Sequence, residues 1–156
     1  MSVNLDEGDI ISFDVSGVPA PGGSKNAFAI KRGGRYTGRV ALVDAGGTGN
    51  KLWRAAVRSA AVDLGCKPLD GPVELRVTFR MMRPKKHFHS TKKKLGLLRE
   101  DAPIYHIFAP DVTKLLRSTE DALKGVTWLD DSQVCIQSAE KVYSPDPGAR
   151  ITITRL

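Results

Sequence analysis

The chain has 156 residues, of which 41% are hydrophobic and 26% are charged, a composition typical of one globular domain and not of a disordered segment. No apolar run approaches the roughly 20 residues of a membrane-spanning helix, which argues against an integral membrane protein. The N-terminal MSVNLDEGDI lacks the basic and apolar regions of a secretory signal, so we expect residence in the cytoplasm. Lys and Arg number 24 against 17 Asp and Glu, giving a net charge of +7. This balance favours a polyanionic partner, with nucleic acid ahead of a membrane surface.

The N-terminal third of the chain is predicted to form strands. Residues 10–18 alternate apolar and polar side chains, which indicates a strand. Residues 19–26 form a loop rich in Pro and Gly. Residues 28–44 are predicted as a hairpin of two strands around the turn at Gly33 and Gly34.

Two segments have the apolar spacing of helices. From 52 to 64 the apolar residues recur every three or four positions, and Asn50 is a possible N-cap. From 111 to 124 the same spacing recurs, with Asp111 as the predicted N-cap. On this second helix, four polar residues are predicted to share one face: Asp111, Lys114, Ser118 and Asp121.

Three further strands are predicted at 72–80, 133–143 and 149–156. Strands therefore outnumber helices, and several of them look antiparallel. We expect a single α+β domain over residues 1–156, with a mixed β-sheet and two main helices packed on one side. Trp53 and Trp128 lie in apolar patterns and are predicted to belong to the core.

A basic segment between the fourth predicted strand and the second helix is the main candidate for contact with nucleic acid. No acidic residue occurs between Glu74 and Glu100, and residues 84–108 are predicted to be a long, mobile, positive loop. A solvated loop without a partner is the alternative. His87 and His89 are expected to face DNA or solvent and not to bind a metal. The GGSKN loop at 22–26 is a further candidate for contact with DNA, although a structural turn is nearly as good an explanation. The cations predicted to contact DNA are Lys25, Arg83, Lys85, Lys86, Lys92, Lys93, Lys94 and Lys114.

Acidic residues collect directly after this loop, at positions 111, 120, 121, 130 and 131. A helix rises about 1.5 Å per residue, so Asp111 and Asp121 lie roughly 15 Å apart and cannot bind the same ion. Hydrolysis of a phosphodiester is commonly assisted by a divalent cation, and carboxylate ligands select Mg²⁺ or Mn²⁺. Adjacent acids after a turn, such as Asp130 and Asp131, are also common at solvated turns.

Residues 110–134 carry the most specific pattern, PDVTKLLRSTEDALKGVTWLDDSQV. This block resembles the RusA family of Holliday-junction resolvases. The similar features are a Pro-Asp helix cap, a basic residue six positions after the aspartate, Asp-Ala-Leu, a Gly-containing turn and Asp-Asp-Ser-Gln-Val. The segments at 16–28, 83–90 and 102–105 are similar to pieces of that family too.

The resemblance implies a small, homodimeric, magnesium-dependent endonuclease, often encoded by a phage or prophage, that makes paired nicks in four-way DNA junctions. By position, Asp111 matches the family's first metal-binding aspartate. Asp130 and Asp131 match the later acidic pair, and we favour Asp131 as the essential residue. Arg117 stands where the family often has a catalytic lysine, and an arginine there is expected to act electrostatically. This assignment requires the carboxylates of the helix cap and of the following strand to converge.

One departure from the family pattern bears on activity. The family motif is Asp-x-Asp-Asn, whereas this chain has Asp111, Val112, Thr113 and Lys114. Thr113 supplies no carboxylate, so a weaker metal site is expected. Two alternatives therefore stay open: a junction- or duplex-binding protein with weakened catalysis, and a related phage nuclease acting on other branched DNA.

Overall fold

A computed structural model describes residues 10–22, 25–44, 47–65 and 67–156. In chain order its strands and helices are β1 (Ile10–Ser16), β2 (Lys25–Arg32), β3 (Arg35–Asp44), α1 (Gly47–Asp63), β4 (Val73–Met82), α2 (Val112–Leu123), β5 (Val134–Ser144) and β6 (Gly148–Arg155). Single 3₁₀ turns occupy Lys85–His87 and Asp131–Gln133. Among the described residues, no helix combines the length and the apolar character needed to cross a bilayer.

The main sheet has four strands in the order β1-β6-β4-β5. In its register, Val77 of β4 lies opposite Ile151 of the antiparallel β6 and Ala139 of the parallel β5. A parallel pair needs a crossover connection, and α2 lies in the segment that links β4 to β5. The sheet is therefore mixed, as predicted from the sequence.

Both helices cover the same face of this sheet. Alternate residues of β4, including Leu75 and Phe79, are fully buried on that face. The Trp53 ring of α1 lies 6.3 Å from the Phe79 ring, and its Nε1 donates a hydrogen bond to Thr119 Oγ1 of α2 at 3.0 Å. Trp128 is also completely buried, so the prediction of two core tryptophans is confirmed, as is the α+β architecture.

Strands β2 and β3 form a separate two-stranded sheet. Its turn is at Gly33 and Gly34, whose φ angles of 57° and 77° belong to the left-handed region that favours glycine. All residues from 27 to 40 are exposed. The predicted hairpin is thus confirmed, and it stands apart from the main sheet.

Two helical predictions are wrong. Asn50 is not the N-cap of the first helix, because α1 begins at Gly47 and Asn50 is buried within it. Ser118 does not lie on a polar face of α2, because its side chain is fully buried and its hydroxyl donates to Asn50 Oδ1 at 2.5 Å. Gly22 allows this close packing, since a Cβ there would lie only 3.1 Å from the Ser118 Cβ.

Candidate functional site

The acidic pair lies at the C-terminal end of α2. Lys124, the C-cap residue of this helix, places its Nζ 3.3 Å from Asp130 Oδ2 and 3.8 Å from Asp131 Oδ2. The Asp130 carboxylate also accepts a hydrogen bond from the Ser132 amide at 3.0 Å. That amide and Lys124 together lower the pKa of Asp130 to about 2. Asp130 is therefore ionised at neutral pH and caps the turn that leads into β5.

Asp131 is more enclosed than its neighbour. Its side chain is 34% exposed, against 61% for Asp130, and its Oδ1 accepts a hydrogen bond from the buried Trp128 Nε1 at 3.0 Å. This bond fixes the direction of the Asp131 carboxylate. Asp131 is thus held by a buried side chain, whereas Asp130 is held by the backbone of the turn.

Glu120 lies next to this pair. It is half-buried, and its Oε2 accepts a hydrogen bond from Gln137 Nε2 of β5 at 2.9 Å. Burial raises the pKa of the Glu120 carboxyl, and the nearby charges of Asp131 and Asp121 act in the same direction. Negative charge is therefore concentrated at this end of the helix.

Asp111 lies at the other end of α2. It occupies the N-cap position, as predicted, but its side chain makes no capping hydrogen bond. The carboxylate is 71% exposed, and its described ion pair is with Lys114 Nζ at 3.6 Å. The Asp111 carboxylate is therefore accessible from solvent at the start of the helix, with Lys114 beside it.

The structure does not bring the three predicted metal ligands together. Asp111 precedes the first residue of α2, whereas Asp130 and Asp131 contact Lys124, which follows its last residue. The 13 steps from Asp111 to Lys124 span about 20 Å along the helix axis. Within the described ranges, no three His, Cys, Asp or Glu side chains form a group that could hold a metal ion. In this structure, the carboxylates present do not fit one ion shared by Asp111, Asp130 and Asp131.

Other residues assigned to the site lie along α2 between its two ends. Arg117 is exposed near the middle of the helix, close enough to Glu120 to favour its ionised form. Thr113 is exposed in the first turn, beside Asp111, and so is Lys114. One exposed side of the helix therefore carries both charge signs along its length.

The basic segment at 84–108 follows the free edge of β5 toward Asp111. Its backbone pairs with the strand through Tyr143 N to Ile104 O at 2.9 Å and His106 N to Lys141 O at 3.1 Å. Lys141 Nζ then donates to the carbonyls of Phe108 and Pro110, each at 2.7 Å. The end of the segment is thereby fixed next to the start of α2. The mobility of the basic segment remains a prediction.

Most of the cations predicted to contact DNA are available on this segment. Lys85, Lys86 and the three lysines at 92–94 are exposed. Arg83 is partly engaged, because it donates to Pro103 O at 2.8 Å and lies over the Tyr143 ring at 5.3 Å. Lys25 begins β2, and its side chain lies outside the described residues, as do residues 23 and 24.

The histidine prediction is wrong for His87. Instead of facing DNA or solvent, the His87 ring is buried edge-on against Tyr143, with their centroids 4.8 Å apart. His106 contacts the same tyrosine ring at 5.1 Å. Burial lowers the pKa of both imidazoles, so they are expected to be neutral at pH 7. They anchor the basic segment to the sheet.

Sequence reasoning left out Glu120 and Lys124 as residues of the site. Glu120 could have been found from its position, since it belongs to the cluster of acids and precedes Asp131 by 11 residues. Lys124 carried no sequence signal, because its contact with both aspartates depends on how the turn after α2 folds back.

The structure is therefore an α+β domain that presents a basic segment next to a helix with exposed charges and acidic residues at both ends. The family model for endodeoxyribonuclease RusA matches residues 24–154. The chain is also 31% identical over 152 residues to the uncharacterized protein YqaN of Bacillus subtilis strain 168, covering 93% of this chain and 96% of that protein. The chain therefore belongs to the RusA endodeoxyribonuclease family, and membership supports an endodeoxyribonuclease activity.

Proposed function

We propose that this protein is a magnesium-dependent, structure-specific endodeoxyribonuclease that resolves four-way DNA junctions by paired nicks, acting as a homodimer in recombination and repair. The observation that carries the proposal is the family match, which spans the whole block from Pro110 to Val134. Nucleases of this family are generally dependent on a divalent metal, for which Mn²⁺ is the expected substitute here.

The positions of the charges support a DNA substrate. The basic segment ends where α2 begins, and Lys86 Nζ lies 5.9 Å from the centroid of the Phe108 ring. A DNA strand that contacts Lys86 would therefore approach the start of the helix, where the Asp111 carboxylate is exposed. We assign Asp111 and Asp131 as the essential acids, Asp130 as a supporting acid and Arg117 as the residue that offsets negative charge on the phosphate. DNA bound along α2 would pass both Asp111 at the start of the helix and the acidic pair at its end.

A comparison of single and double variants tests this assignment. Asp111→Asn and Asp131→Asn are each expected to slow cleavage of a synthetic four-way junction in Mg²⁺ by about 100-fold or more. If both acids act at one reacting centre in the DNA complex, the double variant should cleave no more slowly than the less active single variant. If they act independently, the two reductions in cleavage rate should multiply. Cleavage by the double variant at close to the wild-type rate would show the assignment to be wrong.

Asp121→Asn is the matched control, because Asp121 is exposed on the same helix and loses the same charge. It should cleave at close to the wild-type rate. All variants should still bind the junction in EDTA, since removing acids does not weaken contacts to phosphate. Rates on a flap and a linear duplex, measured beside the junction, distinguish a resolvase from a nuclease that acts on other branched DNA.

A second function is favoured by the separation of Asp111 from the acidic pair and by Thr113. On this alternative, the protein binds junctions or duplexes with weakened or absent catalysis. Salt-sensitive binding without nicking in Mg²⁺ or Mn²⁺ would support it. Thr113→Asp should then gain cleavage, because Thr113 is exposed and a second carboxylate would lie only two residues after the cap Asp111.

A further inference from the structure

The hairpin formed by β2 and β3 is an uncompensated positive element outside the site described above. No acidic residue occurs between Asp14 and Asp44. The described cations of the hairpin are Lys31, Arg32, Arg35 and Arg39, all of them exposed. None of the four forms an ion pair with a carboxylate of the described residues. The hairpin therefore carries positive charge that the rest of the described chain leaves unneutralised.

The turn concentrates this charge at the tip. Arg32 and Arg35 are paired directly across the two strands, next to Gly33 and Gly34. Like charges opposite each other destabilise a strand pair, and an isolated two-stranded hairpin is only marginally stable in water. The pairing thus works against the hairpin's own stability unless an anion lies beside it.

Three of the cationic side chains surround one groove. Ile30, Lys31, Arg32, Thr37 and Arg39 line an open space of about 460 Å³ on the hairpin, without an acidic residue among them. An irregularity in the strand pairing after Ala29 and the bond from Thr37 Oγ1 to Ile30 O at 2.9 Å accompany this groove. It is large enough for a phosphodiester group.

The hairpin also exposes an aromatic ring. Tyr36 is 69% exposed, and Lys31 Nζ lies 4.6 Å from its ring centroid. This contact holds the tyrosine beside the Lys31 ammonium group without covering the ring. A flat apolar ring next to positive charge is the combination with which proteins contact nucleotides.

We propose that the β2–β3 hairpin is a second DNA-contact element, which lies along a groove of one duplex arm and contacts its phosphates through Arg32, Arg35 and Arg39. The major groove, about 12 Å wide, admits a two-stranded β-ribbon. The eight residues of β2 extend for about 26 Å, enough to follow several base pairs. The inference rests on the proposed function in taking DNA as the ligand, but it needs no catalysis.

Binding measurements in EDTA test the hairpin separately from cleavage. The triple variant Arg32→Ala, Arg35→Ala and Arg39→Ala is expected to bind a four-way junction at least about ten-fold more weakly at 100 mM salt. Its plot of log Kd against log salt should have a slope lower by about 2 to 3, since each lost phosphate contact removes about 0.9. Replacing the same three residues by lysine should keep the affinity within about three-fold.

The control removes the same charge elsewhere, at the exposed residues Lys51, Lys67 and Arg76. If this control weakens binding as much as the hairpin variant, only net charge matters and the inference is overturned. The inference is also overturned if sedimentation shows that the hairpin variant no longer forms a dimer. The hairpin would then be a contact between two protein chains. Circular dichroism should show both variants folded, because every replaced side chain is exposed.

The two proposals fail in different ways. A wild-type protein that never cuts DNA but binds it through the hairpin refutes the nuclease and keeps the inference. A hairpin variant that binds as tightly as wild type, in a protein that cuts junctions, refutes the inference and keeps the nuclease.

Discussion

Ionisation of Glu120 destabilises the folded protein. Burial raises the pKa of the Glu120 carboxyl above the ordinary value of 4.5, and Asp131 and Asp121 raise it further. The unfolded chain thus loses this proton at a lower pH than the folded one. The ionised Glu120 therefore destabilises the protein above its folded pKa, and this effect disappears as the pH falls through that value.

Glu120→Gln is expected to stabilise the protein at pH 7, by a few tenths of a kcal/mol to about 1 kcal/mol. The amide oxygen of the new side chain still accepts from Gln137, so that hydrogen bond is kept. Urea unfolding at pH 7 and again near pH 4 measures the change, and the gain should shrink at the lower pH.

The exposed Glu100 offers the matched control, since Glu100→Gln removes one charge without relieving burial. A Glu120→Gln protein less stable than wild type at pH 7 would mean that attraction to Arg117 outweighs the burial of the carboxylate. A variant that is more stable but cuts more slowly would place Glu120 in the reaction, because such sites often carry destabilising charge.

The contact between Gly22 and Ser118 fixes one element against another. The Gly22 amide donates to Lys114 O at 3.0 Å, and a Cβ at this glycine would lie 3.1 Å from Ser118 Cβ and 3.2 Å from Ser118 Cα. Gly22→Ala is therefore expected to destabilise the protein by about 1–3 kcal/mol, since part of the clash is with the backbone of α2. Thermal or urea unfolding measures this change.

Gly49 provides a control of opposite sign. It lies in α1, where a Cβ would meet Ala20 Cβ at an ordinary 3.7 Å. Gly49→Ala should stabilise the protein by about 0.5–1 kcal/mol, because glycine in a helix loses more backbone freedom than alanine on folding. Equal effects of the two substitutions would contradict the close packing described at Gly22.

The same contact shows why element-level prediction succeeded only in part. Alternation identified the strands and the spacing of apolar residues identified both helices, because burial on one face imposes those periods. The helical spacing of Asp111, Lys114 and Asp121 predicts that Ser118 shares their polar face. Its burial depends on a glycine 96 positions away in sequence and on Asn50, and no local pattern reports such a pairing.

At the scale of the whole molecule, the sequence does not predict where its acidic residues lie relative to one another. The turn after α2 folds back on the helix end, with Gly125 N donating to Trp128 O at 2.7 Å, and Trp128 is fully buried. This anchors the acidic pair about one helix length from Asp111. The path of a seven-residue connection is set by where its tryptophan can be buried, and spacing alone does not encode that.

The expectation of a dimer comes from the family resemblance and from the symmetry of the proposed substrate, and no exposed surface identifies the contact. Exposed large apolar side chains occur on the hairpin, on α1 and on the basic segment, for example Tyr36, Leu52 and Ile107. Each is a candidate contact, so composition favours none of them. The expectation of a two-fold dimer follows instead from two nicks placed symmetrically on one four-way junction.

Mixed dimers test that expectation directly. Sedimentation of the wild type should give about twice 16.9 kDa at working concentration. Wild-type protein and the Asp111→Asn, Asp131→Asn variant can be co-expressed with different tags and the mixed dimer purified through both. This dimer has one intact site, so it should nick the junction once and leave singly nicked products in place of resolved duplexes. A dimer of wild type with Asp121→Asn should resolve junctions normally. A monomeric mass, or full resolution by the mixed dimer, would contradict two sites acting across a two-fold axis.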